Sequence, residues 1–316
     1  MPKVKTQRAA SPISAKTSVA KKAALPSAAI IHCLIFLAVV STIVVAYHYC
    51  RQNVAQDYPP YPPKVVLIDR PPWMTNALAN QIIDLAQPIR AESAFDQKIL
   101  IDTAKALASS PWVRQVISVR RIYGNAPGDT LAADCVYRVP TALVKWEDYY
   151  WLVDGDGYKM PEEYTASQAR KVMFAPDGRL SLRVIVGVEH PPVESGKLWP
   201  GQDLAAGLQL VKLLWNKPYA EGIWAVDVTN ADGRRDANTA QIVLDTRYGT
   251  TIRWGRPPGA ADYFVEAPTS QKLANLAAVY DQMHRIDGGQ PWIDVRFDKV
   301  TYPALPQTDG AQASSR

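Results

Sequence analysis

The acidic pair Asp154 and Asp156 has a spacing that occurs among the ligands of calcium loops. A loop of the EF-hand type would continue with Asp or Asn at position 158 and glycine at position 159, where Tyr158 and Lys159 stand instead. Both aspartates are followed by glycine, which is typical of a tight turn between two antiparallel strands. The pattern therefore predicts a solvated hairpin turn at this point and not a metal site.

Other side chains with catalytic or ligand chemistry are few and scattered. Ser195 and Lys197 flank a glycine, but the upstream glycine of a phosphate-binding loop is missing, and no Gly-x-Ser-x-Gly nucleophile motif occurs. The histidines do not have the Cys/His spacing of a zinc site; they are His32, His48, His190 and His284. We therefore expect no metal, no cofactor, no small-molecule substrate and no enzymatic activity.

The number of cysteines excludes a disulfide-stabilised fold, because three are too few for a disulfide framework; they are Cys33, Cys50 and Cys135. Cys135 alternates with apolar neighbours in a strand-like run, which predicts a small, buried core residue. A disulfide between Cys50 and Cys135 is the alternative, although it would join the end of the apolar segment described next to the interior of a strand.

The elements that must position any functional residue begin with an apolar segment from Ala28 to Tyr47, which contains no Asp, Glu, Lys or Arg. At about 1.5 Å per residue, a helix of this length spans the roughly 30 Å hydrocarbon core of a bilayer. We predict a transmembrane helix over residues 28–49. A cleaved signal peptide is the competing interpretation, but the run is longer than a signal core and does not end in small residues. A buried core helix is disfavoured because the segment has no polar face.

The distribution of charge orients this helix. Six of the 35 Lys and Arg residues lie in the first 27 positions, which hold no acidic residue, and 29 face 30 acidic residues beyond them. The net charge of +5 is thus a property of the tail, and no nucleic-acid partner is expected. Because positive charge stays on the cytoplasmic side, residues 1–27 are predicted to be a disordered cytoplasmic tail at the membrane bilayer, with the C-terminal part outside.

Past the membrane, residues 50–63 are predicted to be a Pro-rich linker that acts as a semi-rigid spacer. Residues 64–140 then predict a strand, two helices and two strands, with Thr75 as the cap of the first helix; the predicted elements are Val65–Ile68, a helix after Thr75, Asp96–Ser109, Val113–Tyr123 and Thr130–Val139. The β-α-α-β-β order indicates a small α+β unit with both helices on one face of a three-stranded sheet.

Residues 141–303 alternate short strands with two amphipathic helices, Asp203–Trp215 and Ser270–Arg285. The apolar stripe of the first of these helices consists of Leu204, Leu208, Val211 and Trp215. Strands are predicted at Tyr149–Val153, Leu182–Val186, Ile223–Val228, Ala240–Leu244, Thr250–Trp254 and Trp292–Phe297. In the last of these, alternation predicts Ile293, Val295 and Phe297 on one face. The expected fold class is α+β, with a mixed β domain and flanking helices after the first unit and a disordered tail at 304–316.

Short motifs follow one another in a fixed order along the folded part. They are Pro111-Trp112-Val113, Val119-Arg120-Arg121, Arg138-Val139-Pro140-Thr141-Ala142, Leu152-Val153-Asp154-Gly155-Asp156-Gly157 and Ile293-Asp294-Val295-Arg296-Phe297. With the basic tail, the single span and the outward domain, this series resembles the FtsQ/DivIB family of cell-division proteins over nearly the whole chain. The structural motif residues that carry the resemblance are Trp112, Val113, Arg138, Pro140, Leu152, Asp154 and Gly157.

The resemblance implies a POTRA domain at 64–140 and a β domain at 141–303. It implies a non-enzymatic, single-pass scaffold of the division machinery in the inner membrane at the septum, with FtsB- and FtsL-like proteins as partners. In the family a partner strand adds just after the last strand; the corresponding positions here are Arg296, Phe297, Asp298, Lys299 and Val300. An ordinary edge strand protected by Lys299 and Pro303 is the alternative.

Two other functional classes compete with this interpretation. A POTRA-bearing envelope component that serves protein export or outer-membrane assembly agrees equally well with the composition. A membrane-anchored wall hydrolase would need paired acids or a metal site, and the sequence offers neither. The POTRA-bearing envelope component therefore stays as the alternative function.

Overall fold

The structure is a computed structural model that describes residues 27–57, 62–90, 97–122, 124, 129–260 and 266–303. The chain forms two compact units, Met1–Pro59 and Pro60–Arg316. Some predicted features lie outside the described residues; they are positions 1–26 of the tail predicted at 1–27, the tail predicted at 304–316, the proline run at 58–61, the helix start at Asp96 and the strand end at Tyr123.

The first unit contains helix α1, Ser27–Asp57. Its part from Ile30 to Asn53 is long and apolar enough to cross a membrane, as the sequence predicted. The large apolar side chains between Ile30 and Val45 are exposed on all sides of the helix, a surface that is suited to lipid and not to water. The helix runs past the predicted end at residue 49, so the first part of the predicted linker at 50–63 is helical.

The second unit begins with a three-stranded sheet and two helices in the predicted β-α-α-β-β order. The elements are β1 (Lys64–Ile68), α2 (Asn76–Ala86), α3 (Lys98–Ser109), β2 (Val113–Ile122) and β3 (Thr130–Tyr137). The strand order is β1-β3-β2, with β1 parallel and β2 antiparallel to the central β3. Thr75 caps α2 as predicted, because its side chain accepts a hydrogen bond from the N–H of Leu78 at 3.2 Å.

The core of this part follows from the alternation along β3. Leu131, Ala133 and Cys135 are buried and pack in clusters with apolar side chains of the two helices, such as Ile82 and Leu107. The prediction that Cys135 is a small core residue is confirmed, and burial raises the pKa of its thiol to about 11. Cys135 is a free cysteine in the structure, so the alternative of a disulfide with Cys50 is not realised.

The rest of the unit is organised by an eight-stranded sheet in the order β11-β10-β9-β8-β7-β4-β5-β6. Strand β7 pairs in parallel with β4 and β8, β10 pairs in parallel with β11, and the other pairs are antiparallel. The strands are β4 (Pro140–Trp146), β5 (Tyr149–Asp154), β6 (Lys159–Thr165), β7 (Arg183–Val186), β8 (Ile223–Asp227), β9 (Ile242–Thr246), β10 (Thr251–Gly255) and β11 (Trp292–Asp294).

Three helices accompany this sheet: α4 (Ala166–Val172), α5 (Gln202–Leu214) and α6 (Thr269–Met283). The predicted stripe of α5, with Leu204, Leu208 and Val211, is buried in a cluster with β7 and β8 residues. Trp215 was predicted to continue this stripe but lies at the exposed end of the helix. Strands β4 and β6 and helix α4 were not predicted, because their sequences lack a clear period.

The two sheets share one apolar cluster. It contains Trp112 and Tyr137 from the three-stranded part and Leu143, Leu152 and Val184 from the eight-stranded sheet, all of them buried. Contact between the two sheets therefore brings together motifs that are far apart in sequence. The mixed α+β class expected from the sequence is confirmed by this architecture.

Candidate partner-binding site

The last strand, β11, lies at one edge of the eight-stranded sheet. It was predicted to run from Trp292 to Phe297 but ends at Asp294. Only three residues pair with β10, in the register Thr251–Trp292, Ile252–Ile293 and Arg253–Asp294. The predicted partner-binding residues 296–300 therefore form a bent segment after the strand and not its continuation.

The outer side of β11 is partly occupied by the chain itself. Asp294 and Thr301 exchange two backbone hydrogen bonds, each 2.9 Å long, as an isolated antiparallel pair. Because the N–H and C=O of Thr301 both face β11, the peptide groups of Val300 and Tyr302 on either side of it point away from the sheet. Any strand that adds at this edge must therefore pair with Val300 and Tyr302 and not with β11 itself.

Side chains hold the bend between Asp294 and Thr301 in place. The Asp294 carboxylate accepts hydrogen bonds from Arg296 Nη2 at 2.7 Å and from the Arg296 N–H at 3.1 Å. Those side-chain hydrogen bonds raise the pKa of the Arg296 guanidinium. The carbonyl oxygen of Phe297 accepts from Asn275 Nδ2 at 2.8 Å, and that of Arg296 accepts from the N–H of Ala267 at 2.6 Å. Helix α6 thus fixes the bend through Asn275.

The five predicted binding residues differ in what they offer to a partner. Phe297 leaves its predicted face and is 41% exposed, whereas Ile293 and Val295 are buried in the core. Asp298 and Lys299 are exposed, Arg296 is occupied by Asp294, and Val300 packs partly against the core. The accessible surface here is therefore one aromatic ring, two charged side chains and the outward peptide groups described above.

The structural motif residues lie at the junction of the two sheets. Trp112 and Val113 are buried, and the N–H of Arg138 donates to the carbonyl oxygen of Trp112 at 2.9 Å. The ring of Trp73 lies 6.1 Å from that of Trp112. Leu152 belongs to the same apolar cluster as Trp112. These residues close the joint between α3, β2 and the second sheet.

The Asp154 carboxylate is the polar centre of this junction. It accepts from Arg138 Nη1 at 2.7 Å and from the N–H groups of Asp156 and Tyr158 at 3.0 and 2.8 Å. The Arg138 guanidinium also lies 3.8 Å from the centroid of the Tyr158 ring. The prediction that Asp154 is solvated in its turn is wrong, because β4 and the approach of Arg138 bury it.

The hairpin turn after β5 was predicted and is present, although its second strand, β6, was not predicted. Gly157 has a φ of +88°, a conformation that side chains with a Cβ rarely adopt, and its N–H donates to the carbonyl oxygen of Asp154 at 3.1 Å. Pro140 pairs with Asp154 across β4 and β5. No group of three or more His, Cys, Asp or Glu side chains that would suit a metal occurs among the residues described by the structure.

The sequence did not predict that Lys159 and Ser195, which are 36 positions apart, would meet. Lys159 Nζ donates to Ser195 Oγ at 3.1 Å, and burial lowers the pKa of the lysine. A serine beside such a lysine is a nucleophile and base combination. However, the N–H of Gly196 donates to the Lys159 carbonyl oxygen at 2.7 Å, and that of Lys197 to Glu194 at 3.1 Å. Neither amide is therefore available to stabilise an oxyanion.

Two carboxylates are neighbours on the sheet face opposite α5. Asp227 pairs with Val243 and Asp245 with Ala225, so the two aspartates are diagonal neighbours on β8 and β9. Burial, and then the charge of Asp227, raise the pKa of Asp245 to about 6. This pair makes the region sensitive to pH.

Comparison of the chain with protein-family models found no match, and comparison with curated proteins found none either.

Proposed function

We propose that the protein is a non-enzymatic scaffold, anchored in the inner membrane by α1, that holds other division proteins in the manner of the FtsQ/DivIB family. The ordered motif series in the sequence carries this proposal. Its members Trp112, Arg138, Leu152 and Asp154 lie together at one junction, which supports the view that they form one structural motif and not chance tripeptides. The proposed first domain is of the POTRA type, with residues 64–140, and the β domain follows.

In this proposal FtsB- and FtsL-like single-pass proteins bind at the edge beyond β11. The partner contributes a strand that pairs with the outward peptide groups of Val300 and Tyr302, and Phe297 serves as its apolar anchor. Each backbone hydrogen bond contributes about 1 kcal/mol, so a ladder this short needs the additional contact of the ring. Asp298 and Lys299 at the rim influence the choice of partner more than the affinity.

Cellular location separates the proposal from a role in export or outer-membrane assembly. A fluorescent fusion of the full chain should gather at midcell before division. An even distribution around the cell envelope would favour the export alternative. A reporter that is active only outside the cytoplasm should work after Arg316 and not before Ala28, because six basic residues precede the helix. The reverse pattern would exclude an outward-facing scaffold.

Proline substitutions test the proposed strand pairing. Tyr302→Pro and Val300→Pro each remove an outward N–H and should reduce co-purification of FtsB- and FtsL-like proteins by about tenfold or more. Ala237→Pro is the matched control, because it places proline at the second position of the exposed Asp236–Thr239 turn, outside the proposed ladder. Circular dichroism must show that all three variants are folded. Equal retention of both partners by folded Tyr302→Pro would rule out pairing at this edge.

A further inference from the structure

A trough of about 400 Å³ lies beside α4, away from the β11 edge. Trp224 of β8 lines the trough, and strands β9 and β10 lie between β8 and β11 in the sheet. Its volume is in the lower part of the range that concave ligand sites occupy. It is lined by Tyr150, Ala166, Ala169, Arg170, Met173, Phe174, Trp224 and Arg247.

The wall of the trough is apolar and aromatic. Met173 and Ala169 are buried, Tyr150 and Trp224 are half-buried, and Phe174 is 39% exposed. An aromatic ring exposed to this extent beside a concave apolar surface is a common feature of protein recognition sites. Aromatic side chains in such walls supply contact area at a low cost in conformational entropy.

The backbone around Phe174 is held in a tight hairpin. Phe174 forms a bridge with Leu180, the N–H of Ala175 donates to Arg179 at 2.8 Å, and the N–H of Gly178 donates to Ala175 at 2.8 Å. Gly178 has a φ of +81°, as the turn requires. Phe174 is therefore presented in a defined position before any partner arrives.

The charges at the rim have one sign. Arg170 and Arg247 are both exposed, and neither forms an ion pair with a residue in the described part of the chain. In a neighbouring cavity of about 440 Å³, Arg179 pairs with Asp177, and Arg183 is buried and donates to the carbonyl oxygens of Ala220 and Ile223. The positive charge that is available to a partner here is therefore that of Arg170 and Arg247. Guanidinium groups pair with carboxylates through two parallel hydrogen bonds, so this surface is complementary to an acidic partner.

We propose that this trough docks a segment of a partner protein in which a large apolar side chain is flanked by acidic residues. The apolar side chain enters between Phe174, Met173 and Trp224, and the carboxylates pair with Arg170 and Arg247. A membrane surface fits less well, since headgroups offer no protruding side chain for a concave apolar site. The site is independent of the edge at Val300 and Tyr302, so one chain can hold two partners at once.

A labelled peptide tests this site on the full chain in nanodiscs of zwitterionic lipid. The probe is a fluorescein-labelled hexapeptide with a central Trp-Leu pair and two Glu residues at each end, and its binding is followed by fluorescence anisotropy. We expect saturable binding in the micromolar range, weakened about tenfold by Arg170→Glu and again by Arg247→Glu. Phe174→Ala should weaken binding to a similar extent. Arg235→Glu makes the same charge change beyond the opposite end of β8 and should leave the affinity unchanged.

Three results would overturn the proposal. One is a lack of saturation at about 1 mM peptide, far above the expected range. Another is evidence of unspecific charge attraction, which would be shown by equal binding of a peptide with Ser in place of Trp or by equal weakening in the Arg235→Glu variant. The third is complete displacement of the peptide by a short-chain anionic phospholipid, together with loss of phospholipid binding in the Arg170→Glu variant. That result would identify a lipid site.

Discussion

Replacement of Asp154 by Asn tests whether the Arg138–Asp154 pair stabilises the junction of the two sheets. The two side chains are only 10% and 4% exposed, and they meet at 2.7 Å. Asn keeps the shape of the side chain and an oxygen that can accept from the N–H groups of Asp156 and Tyr158. The variant therefore removes the negative charge and leaves the Arg138 guanidinium buried without its counter-ion.

Breaking a buried ion pair from one side costs about 3–5 kcal/mol, because the remaining charge is not compensated. For a folded unit of this size, each kcal/mol lowers the melting temperature by about 2–4 °C. We therefore expect Asp154→Asn to melt about 10 °C lower than the parent protein, as measured by circular dichroism on the unit that begins at Pro60.

A second ion pair in the same chain provides the matched control. Arg179 and Asp177 also meet at 2.7 Å, but their side chains are 73% and 49% exposed. Asp177→Asn should leave the melting temperature close to that of the parent protein, because solvent screens exposed pairs. If both variants melted at the same temperature, the argument from burial would be wrong. Arg138→Met added to Asp154→Asn should recover part of the loss, since no charge is then left unpaired.

Three further predictions concern the core, the edge and the response to pH. Trp112→Ala should lower the unfolding free energy by about 3–5 kcal/mol, measured by urea denaturation, because it empties a buried site; an unchanged midpoint would contradict its burial. Phe297→Ala should reduce co-purification of the partner proposed for this edge while the melting temperature changes little, because the ring is 41% exposed. A large loss of stability would show that the ring is a core residue. Burial and the charge of Asp227 raise the pKa of Asp245 from 3.8 to about 6, so the folded protein holds this proton more tightly than the unfolded chain. This contribution to stability is lost as pH rises from 3.8 to about 6. Asp245→Asn should abolish this pH dependence and be more stable than the parent protein by on the order of 1 kcal/mol at pH 7, because the side chain is partly exposed. A pH profile of stability like that of the parent protein would show that Asp245 is not the group responsible.

Local signals in the sequence predicted several elements correctly. The apolar run from Ala28 to Tyr47 predicted α1, because a helix of that length with no polar face has few alternatives. Thr75 predicted the start of α2, since a threonine before an amphipathic stretch satisfies a free N–H of the first turn. Alternation around Cys135 predicted a buried strand position. Each of these signals acts over about twenty residues or fewer.

The ends of the strands were predicted less well where a distant segment decides them. The alternation of Ile293, Val295 and Phe297 indicated a strand to residue 297, but the bonds between Asp294 and Thr301 turn the chain earlier. Strand β6 and helix α4 were missed because β6 carries Pro161 and two glutamates, and α4 has only seven residues. Their formation depends on pairing with β5 and on burial of Ala169 against the sheet.

The sequence alone therefore determined the apolar helix, the α+β class and the order of most elements, because these follow from hydrophobic period and capping within a short window. Only the tertiary structure placed β7 between β4 and β8, brought Arg138 to Asp154 and Lys159 to Ser195, and covered the β11 edge with Thr301. These contacts depend on which distant strands become neighbours. That choice is made by burial summed over the whole sheet, and a local pattern does not record it.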